Sequence, residues 1–262
     1  MRPVALITGA ASGIGAATAR RLAARNCDVA VNYHRNAAGA AATAAACRAL
    51  GVETLTVEAD IADDAACRAA IAAVLERFGR LDILVNNAGR TRYVPADDLD
   101  GLAVADFDAV FALNVRGAFQ MARAATPALR DAPNGAIVNI SSDSGISGDG
   151  SSLAYAASKG ALNTLTLGLA RTLAPRVRVN AVCPGFVDTD WSLRWRDAAG
   201  RDRFRETAAA LAPLKRMPSA DDIAETVEWL ALGARCVTGQ LIVVDAGIHL
   251  TAGSPLTPPP AS

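Results

Sequence analysis

The sequence predicts an α/β domain in which helices cover both faces of a seven-stranded, doubly wound parallel sheet. Short apolar runs recur along the chain, and each has the length of a strand that is buried on both faces. Longer segments rich in alanine, leucine and arginine separate these runs and have helical composition. This regular alternation of strand and helix is typical of parallel sheets whose strands are joined by crossover helices.

The strands are predicted from the apolar runs 4–7, 28–32, 54–58, 82–86, 136–140, 177–182 and 241–244. The helices are predicted in the segments 14–25, 37–50, 63–78, 104–130, 152–174 and 221–232. Residues 184–220 interrupt the alternation and are too long for a plain connection, so they predict a functional loop or an added helical piece. Residues 254–262 contain four prolines and predict a disordered tail.

Composition and charge limit the classes of function. The 262 residues include 26 basic and 26 acidic side chains, so no net charge attracts nucleic acid or an anionic membrane. No apolar stretch approaches the roughly 20 residues that span a bilayer. The five scattered cysteines predict reduced thiols and a cytoplasmic protein, and the two histidines give no zinc-site pattern. We therefore expect a small-molecule substrate and no metal, nucleic-acid or membrane partner.

The first predicted strand runs directly into a glycine-rich turn, and a helix follows. Glycines let the backbone turn tightly and approach a pyrophosphate, while the helix N-terminus offers free N–H groups. The spacing Gly-x-x-x-Gly-x-Gly differs from the common Gly-x-Gly-x-x-Gly pattern. The position of this turn at the start of an α/β repeat predicts a dinucleotide site that uses Gly9, Ser12, Gly13, Ile14 and Gly15.

The end of the second strand predicts which cofactor is bound. A carboxylate at this place would bind the 2′-hydroxyl of the adenosine ribose and repel a 2′-phosphate. Asp28 lies at the wrong end of the strand, and the chain continues Asn32-Tyr33-His34-Arg35 without a carboxylate. The guanidinium of Arg35 suits a phosphate, although it could also be an exposed loop arginine. We expect NADP(H) to be preferred, with NAD(H) as the alternative.

Polar and small residues follow the third and fourth strands. Asp60 precedes Ile61 and could accept a hydrogen bond from the adenine amino group, or it could cap the helix that begins near Asp63. The fourth strand ends in Asn86-Asn87-Ala88-Gly89, whose small residues leave room for a ligand across the sheet. This place lies near the expected switch point, where open α/β sheets bind their ligands.

Tyr155 and Lys159 are the candidate catalytic pair. Side chains four residues apart share one face of a helix, and a cation beside a phenol is expected to lower the pKa of the tyrosine. Such a tyrosine can exchange a proton with a carbonyl or alcohol oxygen near neutral pH. The same spacing also occurs in ordinary surface pairs. Ser142, at the end of the fifth strand, supports the catalytic interpretation because that strand end points into the same crevice.

These motifs together resemble the short-chain dehydrogenase/reductase family along the chain to about residue 250. The matching pieces are Thr8 to Gly15, Asp60, Asn86 to Gly89, Asn114, Ser142, Tyr155 with Lys159, and Pro184-Gly185 followed by Thr189. The resemblance implies a single Rossmann-type domain over residues 1–253 with strand order 3-2-1-4-5-6-7. It also implies a substrate lid at about 187–216 and a homotetramer or homodimer.

The resemblance further implies a role for each matching residue. Tyr155 would be the general acid/base, Ser142 would hold the substrate oxygen, and Lys159 would bind the nicotinamide ribose. Asn114 would hold a water that relays protons from Lys159. The cofactor would also be contacted by Asn87, Ala88, Gly89, Pro184, Gly185, Val187 and Thr189. Hydride transfer between nicotinamide and the substrate carbon would require no metal.

Within the family, the chain most resembles 3-oxoacyl-carrier-protein reductases and, as an alternative, the related glucose-type sugar dehydrogenases. Two departures stand against a firm choice. The stretch 90–106 is longer than in the acyl reductases, and the expected lid carries Trp191 and Trp195, which could line the substrate or anchor the lid. The lid arginines Arg194, Arg196, Arg201, Arg203 and Arg205 could bind an acidic partner or form a solvated face.

Two other classes of function are possible on this fold. A catalytically silent cofactor-binding regulator would not need Ser142, Tyr155, Lys159 and Asn114 together. The related epimerases and dehydratases have a separate substrate region, for which this chain leaves no room. The sequence therefore predicts a carbonyl reductase or alcohol dehydrogenase and does not identify its substrate.

Overall fold

The computed structural model describes residues 1–193 and 197–251, and its core is one sheet of seven strands. The strands are β1 (Val4–Ile7), β2 (Asp28–Tyr33), β3 (Thr54–Glu58), β4 (Ile83–Asn86), β5 (Gly135–Ile140), β6 (Val177–Pro184) and β7 (Leu241–Val244). Every neighbouring pair is parallel, and the order is β3-β2-β1-β4-β5-β6-β7. The predicted fold class and strand order are confirmed.

The helices match most of the predicted segments. The principal ones are α1 (Gly13–Ala24), α2 (Ala37–Arg48), α3 (Asp64–Phe78), α4 (Val104–Phe111), α5 (Ala118–Asp131), α6 (Ser144–Ser147), α7 (Leu153–Leu173), α8 (Asp190–Leu193), α9 (Ala198–Leu211) and α10 (Ala220–Glu228). A short 3₁₀ turn, Ile248–Thr251, ends the described chain. No helix in the described ranges combines the length and apolarity needed to cross a membrane.

Successive side chains of the strands alternate between two apolar cores, one on each face of the sheet. In β1, Ala5 and Ile7 belong to one core, whereas Val4 and Leu6 belong to the other. The first core packs against α1, α2 and α10, and the second packs against α3, α5 and α7. This arrangement explains why the strand sequences are continuously apolar: both faces of each pleat are covered.

The predicted helix 104–130 is interrupted. A π-helical segment, Ala112–Gly117, joins α4 to α5 within one continuous helical run. Gly117 permits this geometry because a Cβ at that position would lie 2.9 Å from the carbonyl oxygen of Ile61. A second π segment, Trp229–Gly233, extends α10. Single π turns in helices often occur at functional sites, and the first of these segments carries Asn114.

The segment 184–220 contains helices, so the second of the two predicted alternatives applies. β6 extends to Pro184, and α8 and α9 follow it. Asp197 caps α9 by accepting a hydrogen bond from the backbone N–H of Gly200 at 2.7 Å. Residues 194–196 and 252–262 lie outside the described residues, and so do the predictions for Arg194, Trp195, Arg196 and the tail.

The strand order places a cleft at one edge of the sheet. The carboxyl ends of all the parallel strands lie on this side of the sheet. The chain connections run in opposite directions from β1 and from β4, and open α/β sheets bind ligands at such a point. The cleft has a volume of about 1550 Å³ and extends from the end of β2 to the helices that follow β6. Most of the residues that the sequence singles out line this cleft, among them Gly9, Ser142, Tyr155, Lys159 and Thr189.

Candidate active site

The glycine-rich turn after β1 forms one wall of the cleft. Gly9 and Gly13 have φ angles of +62° and +53°, which L side chains rarely adopt. A Cβ on Gly15 would lie 2.5 Å from Nδ2 of Asn87 and 2.7 Å from the carbonyl oxygen of Gly9. Ser12 caps α1 in an extended conformation, and its exposed side chain makes no capping hydrogen bond. The first turn of α1 therefore presents N–H groups to the cleft, as a phosphate site requires.

Side chains from neighbouring strands hold this turn in place. Nδ2 of Asn87 donates hydrogen bonds to the carbonyl oxygens of Thr8 and Gly9 at 2.8 and 3.1 Å. Oγ1 of Thr8 in turn accepts from the backbone N–H groups of Asn87 and Ala88 at 2.9 and 3.0 Å. The side chain of Asn87 thus supports the turn, and the small residues that follow it leave the cleft open.

Asn32 lies behind the turn, with a buried side chain. Its Oδ1 accepts from the N–H of Gly9 at 3.3 Å, and its Nδ2 donates to the carbonyl oxygens of Val57 and Ala59 at 3.2 and 3.1 Å. All its side-chain atoms are therefore used to join β2, β3 and the turn. Asn32 also lines the cleft, so its contact with the cofactor stays a prediction.

The end of β2 forms the outer part of the cleft. Tyr33 is half-buried, and its hydroxyl lies 3.3 Å from Oε2 of Glu58 on the neighbouring strand. His34 and Arg35 are exposed at the rim, and Nδ1 of His34 lies 3.8 Å from Oδ2 of Asp60. Oδ1 of Asp60 accepts a hydrogen bond from the N–H of Ala62 at 3.0 Å.

Asp60 is not the cap of the following helix. The cap of α3 is Asp63, whose Oδ1 accepts from the N–H groups of Ala65 and Ala66 at 2.7 and 3.3 Å. The alternative interpretation of Asp60 as an N-cap is therefore wrong. Asp60 and Ile61 line the cleft instead.

Replacing Gly15 by alanine is expected to weaken binding of the expected nicotinamide dinucleotide at least roughly tenfold and to lower the free energy of unfolding by about 1–3 kcal/mol. The added methyl group would collide with Asn87 and the Gly9 carbonyl, and overpacking of this kind costs that amount. Titration of NADPH fluorescence and urea unfolding measure the two effects. Gly168→Ala is the control: Gly168 lies within α7 with open space around it, and alanine there should stabilise by about 0.5–1 kcal/mol. Wild-type affinity in Gly15→Ala would contradict the close packing.

The inner end of the cleft brings Tyr155, Lys159 and Ser142 together. Ser152 caps α7 by accepting from the N–H of Tyr155 at 3.2 Å, which places the tyrosine in the first turn of the helix. Nζ of Lys159 lies 5.5 Å from the centroid of the Tyr155 ring and donates to the carbonyl oxygen of Ile140 at 2.7 Å. Because Lys159 is buried, its pKa is lowered to about 8.

Asn114 projects from the π segment and is buried. Its Oδ1 accepts from the N–H of Arg90 at 2.9 Å, and its Nδ2 donates to the Arg90 carbonyl at 3.0 Å and to Oγ of Ser158 at 2.9 Å. A Cβ on Gly89 would lie 3.5 Å from Oδ1 of Asn114 and 3.8 Å from Nζ of Lys159. Gly89 thus keeps open the space between the amide and the ammonium.

Ser142 follows β5 and is buried beside a carboxylate. Its Oγ donates to Oδ1 of Asp143 at 3.0 Å, with the carbonyl oxygen of Pro184 at 3.4 Å as a second acceptor. The N–H of Ser144 donates to Oγ of Ser142 at 3.2 Å. Asp143 was not predicted as a site residue, although a carboxylate directly after a strand end and next to Ser142 was the available signal.

The residues after β6 close the cleft opposite the glycine turn. Gly185 is required there, since a Cβ would lie 2.6 Å from Cβ of Asp245. The buried Val187 accepts from the N–H of Thr189 at 2.8 Å through its carbonyl oxygen. Cγ2 of Thr189 lies 3.9 Å from the position of a Cβ on Gly13, so Thr189 faces the turn across the cleft.

The described part of the expected lid contributes aromatic residues and ion pairs. The Trp191 ring centroid lies 6.4 Å from that of Tyr155, which favours lining of the substrate space over simple anchoring. Arg205 lies 3.0 Å from Asp188 and 2.9 Å from Asp202, and Arg201 lies 3.8 Å from Asp190. Two of the lid arginines are thus paired with carboxylates of the same segment.

Comparisons with known proteins agree with this geometry. The chain matches a family model described as enoyl-(acyl carrier protein) reductase over residues 9–249. A Streptomyces violaceoruber protein assigned as ketoacyl reductase 2 of the granaticin polyketide synthase is 41% identical over 251 residues, 95% of this chain and 96% of that protein. The 3-oxoacyl-acyl-carrier-protein reductase FabG of Staphylococcus aureus is 38% identical over 252 residues, 95% of this chain and 99% of that protein.

A solved structure has the same fold with a bound dinucleotide. It is a short chain dehydrogenase from Burkholderia cenocepacia in complex with NADP, which superposes with a TM-score of 0.84 at 38% identity. The superposition covers 94% of this chain and 98% of the other.

Proposed function

The chain belongs to the short-chain dehydrogenase/reductase family, and from that premise we propose that Tyr155, Ser142 and Lys159 carry its reaction on a carbonyl or a secondary alcohol. The protein is an oxidoreductase that uses a nicotinamide cofactor. One observation carries the assignment of residues: a tyrosine, a buried ammonium and a strand-end hydroxyl meet at the inner end of a cleft of dinucleotide size.

The residues of the cleft fit a dinucleotide from end to end. The glycine turn and the first turn of α1 suit the pyrophosphate. Side chains on Gly9 and Gly13 would be strained because of their positive φ angles, and a side chain on Gly15 would collide with Asn87. Asp60 and Ile61 line the adenine end, and Thr189 with the backbone near Val187 lies at the nicotinamide end. When bound, the cofactor supplies or accepts a hydride.

Tyr155 exchanges the proton in this proposal. In the reductive direction its hydroxyl gives the proton to the substrate oxygen, and the positive charge of Lys159 stabilises the phenolate that remains. Ser142 hydrogen-bonds the same oxygen. Asn114 lies next to Lys159 across the space that Gly89 leaves open, where a water held by Asn114 would relay protons from Lys159 towards solvent.

The two hydroxyls of Tyr155 and Ser142 favour a carbonyl as the reacting group. Reduction of a carbonyl develops charge on the oxygen, which hydrogen-bond donors at that oxygen stabilise. The matched family model is described by an enoyl reduction, whereas the relatives named above are ketoacyl and 3-oxoacyl reductases. We propose a 3-oxoacyl compound or a small ketone as the substrate, with a sugar dehydrogenase as the alternative.

The experiment for this proposal is a substrate screen followed at the nicotinamide absorbance with both cofactors. Ethyl acetoacetate represents the 3-oxo esters, cyclohexanone the small ketones and glucose the sugars. We expect the 3-oxo ester or the ketone to consume NADPH. Oxidation of glucose alone would favour the sugar dehydrogenase, and cofactor binding without turnover of any compound would favour the non-catalytic regulator.

We also propose that NADP(H) is preferred. The rim at the end of β2 presents Arg35 together with Arg20 of α1, and the residues from Tyr33 to Asn36 contain no carboxylate. A guanidinium suits a 2′-phosphate, whereas a carboxylate would repel it. The NADP complex of the Burkholderia cenocepacia relative supports this proposal.

Replacing Arg35 by serine is expected to lower kcat/KM with NADPH roughly 10- to 100-fold and to leave kcat/KM with NADH nearly unchanged. The loss corresponds to one charge-assisted hydrogen bond to phosphate. Steady-state kinetics with each cofactor measure the effect, and Arg68→Ser on the exposed side of α3 is the control. An equal loss with both cofactors, or no loss, would contradict the assignment of Arg35.

The predicted homotetramer or homodimer stays a proposal. Supporting it, Phe107 of α4, Phe119 of α5 and Leu167 of α7 are exposed large apolar side chains on adjoining helices. A second copy of the chain would cover them. Light scattering at several concentrations tests this association. The cytoplasmic location and the lid role of residues 187–216 also stay predictions.

A further inference from the structure

The carboxylate of Asp143 is the nearest acidic group to the substrate-binding hydroxyl of the proposed site. Its Oδ1 accepts the hydrogen bond of Ser142 at 3.0 Å, and its Oδ2 lies 3.2 Å from the position of a Cβ on Gly185. Asp143 lines the cleft and is half-buried. The carboxylate is therefore held between the end of β5 and the end of β6, where it reaches Ser142 directly.

Several titratable groups surround Asp143. Asp245, buried after β7, and Asp149, in the loop after α6, both act on it with negative charge. Asp143 also lies close enough to Cys183 of β6 for its charge to act on that thiol, whose pKa burial raises to about 11. Nδ1 of His249 lies 2.7 Å from Oδ2 of Asp245, so this carboxylate already has a partner.

The hydroxyl of Ser142 has one proton and two acceptor positions. The Ser144 N–H occupies one acceptor position, at 3.2 Å. While Asp143 is ionised, the proton is committed to a charge-assisted hydrogen bond, which is roughly twice as strong as a neutral one. Only one lone pair of Ser142 then remains for a ligand.

A ketone and an alcohol differ in whether they can donate a hydrogen bond to this lone pair of Ser142. A ketone oxygen has no proton, so it cannot pair with Ser142 until the serine proton leaves Asp143. An alcohol carries a proton and can donate it to Oγ of Ser142 while its own oxygen accepts from Tyr155. The state of Asp143 therefore affects the two ligands unequally.

We propose that Asp143 is a positioning residue that controls the direction of the Ser142 hydroxyl and thereby the relative affinity of the site for ketone and alcohol. The inference rests on the proposed function. Ionised Asp143 holds the serine proton away from the substrate oxygen and weakens ketone binding. Neutral Asp143 accepts only an ordinary hydrogen bond, so the serine proton can turn to the ketone, with the Pro184 carbonyl at 3.4 Å as a weaker competing acceptor.

The sign of the pH dependence follows. Burial, together with the negative charges of Asp245 and Asp149, raises the pKa of Asp143, while the hydrogen bonds from Ser142 and Ser144 oppose the rise. Neutral Asp143 thus persists to higher pH than an ordinary aspartic acid. As the pH rises through this ionisation, the ketone dissociation constant should increase more than that of the alcohol.

The test measures two dissociation constants in complexes that cannot react. Ethyl acetoacetate is titrated against the enzyme–NADP⁺ complex, and ethyl 3-hydroxybutyrate against the enzyme–NADPH complex. Asp143→Asn, which mimics the neutral acid, is expected to lower the ratio of ketone to alcohol dissociation constants roughly three- to tenfold at pH 8. In this variant the ratio should also lose its rise with pH below about pH 7, where Lys159, whose pKa is about 8, stays charged.

Asp149→Asn is the matched control, since it removes the charge of a nearby carboxylate that accepts from the Gly150 N–H at 2.7 Å. Asp143→Ala is a second variant that removes the acceptor entirely and should shift the ratio in the same direction. An unchanged ratio in both Asp143 variants, or an equal shift in Asp149→Asn, would overturn the proposal. If the wild-type enzyme reduced no ketone at all, the proposed function itself would fail, so the two failures are distinguishable.

Discussion

Replacing Tyr155 by phenylalanine is expected to lower kcat for ketone reduction by about 10²- to 10⁴-fold while leaving NADPH affinity nearly unchanged. The substitution removes only the hydroxyl that gives its proton to the substrate oxygen, and general acid catalysis contributes an effect of this size. The ring, which contacts Trp191 and lies beside Lys159, keeps its shape. The cofactor site should therefore remain intact.

Single-turnover kinetics and NADPH fluorescence titration separate the two effects in this variant. Tyr93→Phe is the matched control, because it removes a phenol hydroxyl from a tyrosine of the same cleft that is 54% exposed. We expect this control to keep most of the wild-type kcat. Full activity in Tyr155→Phe would show that another group supplies the proton.

Replacing Lys159 by methionine is expected to lower kcat/KM at least about 100-fold. Methionine has nearly the same length but no charge, so it removes the cation that stabilises the Tyr155 phenolate and leaves the Ile140 carbonyl without its hydrogen bond. The matched control is Lys215→Met, which removes the charge of an exposed lysine shortly after the end of α9. Equal losses in the two variants would contradict a specific role for Lys159.

The same substitution also changes how stability depends on pH. Burial lowers the pKa of Lys159 from 10.5 to about 8, so between these values the unfolded chain binds a proton that the folded chain does not. The free energy of unfolding contributed by this group therefore rises with pH across that window and is lowest below it. The difference in unfolding free energy between wild type and Lys159→Met, measured in urea at pH 7.5 and pH 9.5, should move in favour of the wild type at the higher pH. A constant difference would contradict the burial of a charged Lys159.

The sequence predicts the sheet well because the strands are buried on both faces. A continuous apolar run such as Val4–Ile7 is typical of a parallel strand whose two faces are both covered by helices. The catalytic candidates were also identifiable, since Ser142 and Tyr155 lie at a strand end and in a first helical turn, positions that the alternation of elements already fixes.

Features that depend on contacts between distant segments were not predicted. In the π segment around Asn114, Gly117 packs closely against Ile61. No pattern in the neighbouring sequence predicts this contact. The side-chain hydrogen bonds that Asn32 makes with Gly9 and with Val57 of β3 were likewise not predicted, because they join residues that are far apart in sequence. The pairing of Asp143 with Ser142 depends on side-chain direction after β5, which sequence spacing does not specify.

In the proposed reaction, hydride passes directly between nicotinamide C4 and the substrate carbon at the inner end of the cleft, with Tyr155 as the proton donor. It is tested most directly by reducing ethyl acetoacetate with NADPH that carries deuterium on one face of nicotinamide C4, and analysing the alcohol by mass spectrometry. One of the two deuterated cofactors should place a single deuterium on the former carbonyl carbon, with none exchanged with solvent, and Tyr155→Phe should form this product about 10²- to 10⁴-fold more slowly. An alcohol without deuterium from either cofactor, or equal product from the variant, would contradict the account.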